Sequence, residues 1–353
     1  MRTKKYEIAR AIDKLKSVVQ KNDTTPALSG ILVKDGYLIS SNSEITIHIR
    51  FEDSVGENFI IPMKAFDLIK NLPEGDVEIS ADAKNVVTIK MDKIKNSYQS
   101  HPAKAFIFQN IPKDEEGGIT LPGENLISAI SHVMYAATDK GAKEAMKGIY
   151  MESEKKYLNI VALDGHVLAW DKIGVEQEND MKIIVPKTAA KKLVDMGMSD
   201  DVTVSYDTNH ATFRTDEYVI YSRLIEGNYF PYAAMFKECP VYTIVGRKEL
   251  SDCMTRAKMC VRDEAPTVFE LSGEELKVSL QDGSTNYEES IQTQETVEQA
   301  MRIGFSSKLV LETIKAFTCD NITLNFSSGS LPMIVEAEDS DMKAMVLPVK
   351  LRG

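Results

Sequence analysis

One pattern of apolar residues occurs three times in the chain, at intervals close to 120 residues. Within each occurrence, apolar residues stand at i, i+4, i+7 and i+11, the spacing that places them on a single face of a helix. The first apolar positions of successive occurrences are 118 and 124 residues apart. The three stripes consist of Ile8, Ile12, Leu15 and Val19; Leu126, Ile130, Val133 and Ala137; and Leu250, Met254, Ala257 and Val261.

A second set of three segments begins at Pro62, Pro186 and Phe305. Each has a helical pattern that ends in a turn and continues as an alternating strand, and the stretches between the helices are typical of hairpins. The repeats therefore predict an α+β fold of three similar domains, each with two helices packed on antiparallel sheets. The predicted domains are residues 1–118, 119–240 and 241–353.

Composition indicates a globular protein, with 43% hydrophobic and 27% charged residues. No run of 18 uncharged apolar residues occurs, and the first ten residues, MRTKKYEIAR, have no apolar core of the secretory type. The four cysteines form no Cys-x-x-Cys pair, and the five histidines are scattered singly. These features predict a cytoplasmic protein with no membrane partner, no metal and no cofactor.

The net charge of −11 argues, taken alone, against a nucleic-acid partner. The charge is distributed unevenly, however, because the six predicted helices carry +9 and the remainder carries −20. A basic helix face on an acidic chain predicts contact with phosphates without recognition of bases. The candidate cations are Arg10, Lys14, Lys21, Lys70, Lys140, Lys143, Lys187, Lys191, Arg256, Lys308 and Lys315.

The segment VALDGHVLAW, residues 161–170, places Asp164 beside His166, a pair that could serve a hydrolase. Asp-Gly between two alternating apolar runs is also a strong hairpin signal, and no nucleophile for His166 stands in this segment. The sequence also lacks the P-loop, dinucleotide-binding, zinc-protease and nucleophile-elbow motifs. We therefore predict that the protein has no catalytic residues.

Several segments resemble the bacterial DNA polymerase III beta subunit, the DNA sliding clamp family. ALDGHVLAW is similar to a hairpin of that family's second domain, SRLIEGNYFPY (222–232) to its linker, and MVLPVKL (345–351) to its C-terminal tail. The resemblance implies a closed homodimeric ring of six similar domains around double-stranded DNA, bound without sequence preference. It further implies partners that dock short linear motifs: the polymerase III alpha subunit, the clamp loader, repair polymerases and ligase.

The resemblance also implies the residues of the peptide pocket and of the dimer interface. The interface would include Tyr98, Met259 and Cys260. Family members often carry arginine where this chain has Val167 and Ala234, and threonine where it has Leu163, so the resemblance implies a pocket more apolar than is usual in the family. The implied pocket residues are Met146, Leu163, Gly165, His166, Leu168, Pro231, Met235, Met345, Leu347, Pro348, Val349 and Leu351.

Three alternatives stay open at this point. One is a divergent clamp that serves repair or the replication of mobile elements. Another is a scaffold protein that binds no DNA, in which the basic helix faces would be incidental. The third, and least favoured, is a hydrolase that depends on Asp164 and His166.

Overall fold

The computed structural model describes residues 1–19, 24–42, 44–111, 118–140, 143–176, 180–260, 265–283 and 285–351. Lys21 and Val261, both named above, lie outside these ranges. The described residues include six α-helices: α1 (Lys5–Leu15), α2 (Phe66–Asn71), α3 (Gly123–Val133), α4 (Lys187–Met196), α5 (Arg247–Cys260) and α6 (Ser307–Ala316).

The strands pair in antiparallel fashion throughout the ladders described below. They are β1 (Arg2–Lys4), β2 (Gly30–Lys34), β3 (Tyr37–Ser41), β4 (Ile45–Arg50), β5 (Asn58–Pro62), β6 (Asp76–Ala81), β7 (Val86–Met91), β8 (Ile94–Gln99), β9 (Ile119–Pro122), β10 (Gly148–Glu154), β11 (Tyr157–Leu163), β12 (Val167–Gly174), β13 (Lys182–Pro186), β14 (Asp201–Tyr206), β15 (His210–Arg214), β16 (Tyr218–Arg223), β17 (Val241–Gly246), β18 (Pro266–Asp282), β19 (Thr285–Ser306), β20 (Asn321–Phe326), β21 (Met333–Ala337) and β22 (Ser340–Val346).

The chain forms two compact units. The first comprises Met1–Glu124 and Lys191–Leu224. It holds a four-stranded sheet in the order β1-β6-β7-β8 and an eight-stranded sheet in the order β5-β2-β3-β4-β16-β15-β14-β9. In the larger sheet, β4 joins the first repeat to the second through its ladder with β16, where Ile47 lies opposite Ile220.

The second unit comprises Asn125–Ala190 and Ile225–Gly353. Its eight-stranded sheet runs β13-β10-β11-β12-β22-β21-β20-β17, and β18 and β19 form a long hairpin. Here β12 joins the second repeat to the third, with Leu168 opposite Met345. The second repeat thus contributes strands to both units, and the boundaries near residues 118 and 240 stay a prediction.

The apolar stripes lie in the core, as the repeat pattern predicts. Every described residue of the three stripes is buried, with Val19 the most exposed at 7%. Amphipathic helices on antiparallel sheets confirm the α+β class. The helices are shorter than the patterns suggested: α1 ends at Leu15 and α3 at Val133, each followed by a turn that continues the buried stripe. Among the described residues, no helix has the length and apolarity needed to cross a membrane.

Candidate peptide-binding pocket and basic helix faces

The turn between β11 and β12 is held by the side chain of Asp164. Its Oδ1 accepts the backbone N–H groups of His166 at 2.8 Å and Val167 at 3.0 Å. Gly165 adopts a φ of 92°, which favours glycine. The ring of His166 is 73% exposed, and its Nδ1 lies 4.0 Å from Asp164 Oδ1. At 4.0 Å the two atoms are beyond hydrogen-bond distance, so the described role of Asp164 is to shape the hairpin through the two backbone amides.

The C-terminal tail continues from β22 along this hairpin. After the ladder with β12 ends at Val346, the N–H of Leu347 donates to the carbonyl oxygen of His166 at 2.8 Å. The N–H of Val349 then donates to Gly304 O at 2.9 Å. A side chain added at Gly304 would approach Leu351 to 2.6 Å, so the glycine admits the tail. Residues 347–349 and Leu351 are half-buried.

The structure brings five of the predicted pocket residues into one apolar cluster. Leu163, Leu168 and Met345 are buried members of it, and Met146 and Met235 pack against it partly exposed. Methionine suits a surface that accepts different partners, because its side chain is unbranched and flexible. Pro231 is exposed and directly precedes a short 3-10 turn that ends at Met235, and Pro348 is half-buried in the tail.

The sequence interpretation missed an aromatic group that belongs to the same cluster. Tyr150 stacks on Tyr229 with 4.4 Å between ring centroids, and Trp170 meets Tyr232 edge-on at 5.1 Å. Trp170 also contacts Phe236, whose side chain borders a cavity of about 300 Å³ lined in part by Ile334. The available signal was the segment NYFPY, which concentrates aromatic residues in the linker. Such rings bury large apolar areas and have few rotatable bonds.

Polar atoms of these aromatic residues are satisfied within the same unit. The hydroxyl of Tyr232 donates to Glu152 Oε2 at 2.8 Å, and the indole N–H of Trp170 donates to Asn159 Oδ1 at 3.0 Å. Burial raises the pKa of Tyr150 to about 12, and Glu152 adds to that rise. The tyrosine hydroxyl groups therefore stay protonated and uncharged at neutral pH.

Several predicted DNA-contacting cations are bound by the protein's own acidic residues. Lys14 Nζ lies 3.2 Å from Glu217 and Lys70 Nζ 2.8 Å from Asp13. Ion pairs of this kind reduce the positive charge that is available to a ligand. The remaining pairs are Arg10 with Glu217 at 3.6 Å, Lys187 with Asp139 at 3.5 Å, and Arg256 with Glu289 through two hydrogen bonds.

Lys14 and Lys187 are also largely covered, with side chains 16% and 25% exposed. Lys187 Nζ donates to the carbonyl oxygen of Ala137 at 2.6 Å, which is a structural contact. Lys143 Nζ lies 4.9 Å from the ring centroid of Phe230. By contrast, four other predicted cations are exposed and form no ion pair with any described residue: Lys140, Lys191, Lys308 and Lys315. Lys21 lies outside the described residues.

The three predicted interface residues lie at accessible places. Tyr98 is on β8, which is an edge strand of the four-stranded sheet. Met259 is 81% exposed on the last turn of α5, and Cys260 beside it is half-buried. An exposed methionine and an open strand edge are features that a partner chain commonly covers.

Family comparisons cover nearly the whole chain. The N-terminal, central and C-terminal domains of the DNA polymerase III beta subunit match residues 1–110, 120–231 and 237–350, respectively.

Individual relatives agree with these matches. The beta sliding clamp of Staphylococcus aureus is 25% identical over 370 residues, covering 98% of this chain and 97% of that protein. The fold is similar to the DNA polymerase sliding clamp of Bacillus subtilis, with a TM-score of 0.90, 20% identity and 99% of each chain covered. A sliding clamp of Pseudomonas aeruginosa, solved bound to griselimycin, gives a TM-score of 0.92 at 19% identity over 99% of each chain. Three matched domains in order, on a chain whose helices and sheets repeat three times, establish that this protein belongs to the DNA polymerase III beta subunit family.

Proposed function

We propose that this protein is a DNA sliding clamp, a non-catalytic processivity factor that encircles duplex DNA and tethers a polymerase to it. The observation that carries the proposal is how neighbouring repeats are joined. The fourth strand of the first repeat, β4, pairs with β16, the last strand of the second repeat. Likewise β12 of the second repeat pairs with β22, the last strand of the third.

The same rule applied once more predicts a ring made of two chains. In the third repeat, the corresponding strand is the first half of β19, which pairs only with β18 among the described strands. In the first repeat, the last strand is β8, one edge of which pairs with no strand in the described part of the chain. Joining β19 of one chain to β8 of another closes a head-to-tail homodimer. Tyr98, Met259 and Cys260 would lie at this contact, and Lys95 on β8 would face an acidic strand carrying Glu288.

Binding to DNA would depend on the helix faces and not on the overall charge. Exposed cations attract phosphates at short range, while the acidic remainder of the chain repels them. We therefore assign the DNA contact first to Lys140, Lys191, Lys308 and Lys315. Lys21, Lys143, Arg10, Lys70 and Arg256 would support them, and Lys14 and Lys187 would act mainly by holding the structure.

Partners would dock in the apolar cluster beside the Asp164 turn. The pocket would be walled by the hairpin, the linker and the tail: Met146, Leu163, Gly165, His166, Leu168, Pro231, Met235, Met345, Leu347, Pro348, Val349 and Leu351. Short linear motifs of the polymerase III alpha subunit, the clamp loader, repair polymerases and ligase are the proposed ligands. Loading would require an ATPase from another chain, because this sequence has no P-loop. The work of replication would place the protein in the cytoplasm.

A topological test addresses the ring directly. The protein is loaded by a bacterial clamp loader onto a nicked circular plasmid, and the complex is isolated by gel filtration in about 0.5 M salt, which screens phosphate contacts. We expect the protein to stay on the circle and to leave once a restriction enzyme linearises it. Equal retention on circular and linear DNA would contradict the proposal, because it would indicate binding without encirclement.

A further inference from the structure

The hydrogen-bond framework of the Asp164 turn recurs in the first unit, both at Asp207 and at Asn42, and the Asn42 turn borders a cavity. Asn42 Oδ1 accepts the backbone N–H groups of Glu44 and Ile45, each at 2.8 Å. The N–H of Asn42 donates to Ile45 O at 2.9 Å, as Asp164 donates to Val167 O at 3.2 Å. The N–H of Arg223 donates to Glu44 O at 2.8 Å, as Leu347 donates to His166 O.

The two turns share these backbone hydrogen bonds but carry different side chains at equivalent positions. Glu44 takes the position of His166, and Arg223 takes the position of Leu347. Beside the first-unit turn lies a cavity of about 120 Å³, lined in part by Ile107, His210 and Tyr221. A cavity of this size accepts one side chain and not a whole ligand.

The walls of this cavity combine an exposed apolar side chain with a cation. Ile107 is 65% exposed, and the rings of His210 and Tyr221 are tilted by 32° with 4.7 Å between centroids. Arg223 is exposed and forms no ion pair with a described residue. The lining also includes one acidic residue, Glu44, whereas Asp207 is not part of the lining and its Oδ1 accepts the N–H of His210 at 2.8 Å.

We propose that this cavity is a second docking site for an extended peptide, selective for an acidic side chain next to an aliphatic one. The carboxylate would pair with the guanidinium of Arg223, whose planar donors match that group. The aliphatic side chain would cover Ile107 and Tyr221 and remove their apolar surface from water. The analogy with a peptide pocket rests on the proposed function, whereas the charge preference rests on Arg223 itself.

Two fluorescein-labelled peptides separate this site from the pocket of the second unit. The acidic probe is Gly-Asp-Ile-Asp-Leu-Gly, with Gly-Asn-Ile-Asn-Leu-Gly as its uncharged control. The apolar probe is Gly-Gln-Ala-Leu-Ser-Leu-Phe. Anisotropy is measured on the full chain, on R223E, and on the double variant H166A with L168A. Melting curves by circular dichroism confirm that each variant is folded.

We expect the acidic probe to bind the full chain with a dissociation constant below about 1 mM and to lose roughly tenfold or more on R223E. It should be unaffected by H166A with L168A, which should abolish binding of the apolar probe. A lysine version, Gly-Lys-Ile-Lys-Leu-Gly, should bind R223E better than the original chain.

Three results would overturn the second site: equal binding of the acidic probe and its amide control, loss of the acidic probe only on H166A with L168A, or no binding at all. Displacement of the acidic probe by a duplex oligonucleotide would also overturn it, because Arg223 would then belong to the DNA contact. Failure of the apolar probe alone would count against the proposed pocket and leave the second site standing.

Discussion

The carboxylate of Asp164 connects a single side chain to the shape of a binding surface. It holds the amides of His166 and Val167, and the carbonyl oxygen of His166 in turn accepts from the tail at Leu347. Asp164→Ala leaves two N–H groups without their acceptor, so we expect a loss of roughly 1 kcal/mol in the free energy of unfolding, measured in urea. Peptide affinity should fall with it. Asp164→Asn keeps the acceptor oxygen and serves as control; an equal loss in both variants would mean that the charge matters and the turn does not.

His48 gives a second residue-scale prediction, on pH. Its ring is 3% exposed and Nε2 lies 2.7 Å from Gln109 O, so the neutral ring donates there. Burial lowers the pKa of His48 to about 4, and the positive charge of Arg214 contributes. The unfolded chain, with a pKa near ~6.5, therefore takes up a proton first as the pH falls. This contribution to stability is complete above pH ~6.5 and is lost towards pH ~4, by up to about 3 kcal/mol.

The control for His48 is His48→Gln, which can keep a donor towards Gln109 and does not titrate in this range. Chemical denaturation at several pH values should give a shallower dependence for the variant between pH ~6.5 and ~4. Identical pH profiles for both proteins would show that His48 is not the group responsible.

At the scale of elements, the helices carry two kinds of lysine that sequence alone does not distinguish. Reversing Lys191, Lys308 and Lys315 to glutamate should weaken DNA binding and reduce its salt dependence, with the melting temperature nearly unchanged, because all three are exposed. Lys187→Met should instead lower the free energy of unfolding by roughly 1–2 kcal/mol, because it removes the donor to Ala137 O. Filter binding across salt concentrations measures the effect on DNA binding, and urea denaturation measures the effect on stability. A triple variant that binds DNA as tightly as the original chain would exclude these helix faces.

Deleting the C-terminal tail tests whether it forms a wall of the peptide pocket or part of the fold core. In its described part, residues 347–351, it makes two backbone hydrogen bonds beyond β22, through Leu347 and Val349, and has no regular secondary structure. Deleting residues 347–353 should leave the dimer and its melting temperature nearly unchanged, since Met345 and Val346 stay in the sheet. A peptide with glutamine followed by spaced leucine and phenylalanine should bind about thirtyfold or more weakly, for the loss of ~2 kcal/mol of anchor contacts. Unchanged affinity by anisotropy would place the pocket elsewhere.

The periodicity of apolar residues predicted the features of the fold that depend on neighbouring residues in the sequence. The buried stripes and the hairpin at residues 161–170 were legible because 3.6-residue and two-residue patterns report directly which side of an element faces the core. Leu168 pairs with Met345, which is far away in the chain, and local sequence periodicity does not indicate which distant strand a given strand will pair with. The same limit hid the pairing of Lys14 with Glu217 and the stacking of Tyr150 on Tyr229. Exposure of a lysine therefore could not be inferred from its place on a helix.

At the scale of the whole molecule, both large sheets form in the same way: the fourth strand of one repeat pairs with the last strand of the next repeat. Among the described strands, this pattern leaves two strands without such a partner, β8 of the first repeat and the first half of β19 in the third. Because these two strands differ, a head-to-tail ring and an isologous dimer make opposite predictions. An isologous dimer would bring two copies of β8 together. The head-to-tail ring pairs β8 with the β19 and α5 side of the partner.

Two variants decide between these assemblies. Tyr98→Asp alters β8, and Met259→Asp alters the exposed end of α5, where the side chain is 81% exposed and folding should be unaffected. In a head-to-tail ring, either variant alone spoils both interfaces, so native mass spectrometry at micromolar concentration should show chains of 39.4 kDa only. Mixing the two variants restores one interface, between the intact β8 of one chain and the intact α5 of the other. We therefore expect a heterodimer from the mixture, open at one interface and unable to stay on circular DNA. If the mixture stays monomeric while the original chain is dimeric, this pattern of strand pairing does not extend across chains and the ring closes in another way.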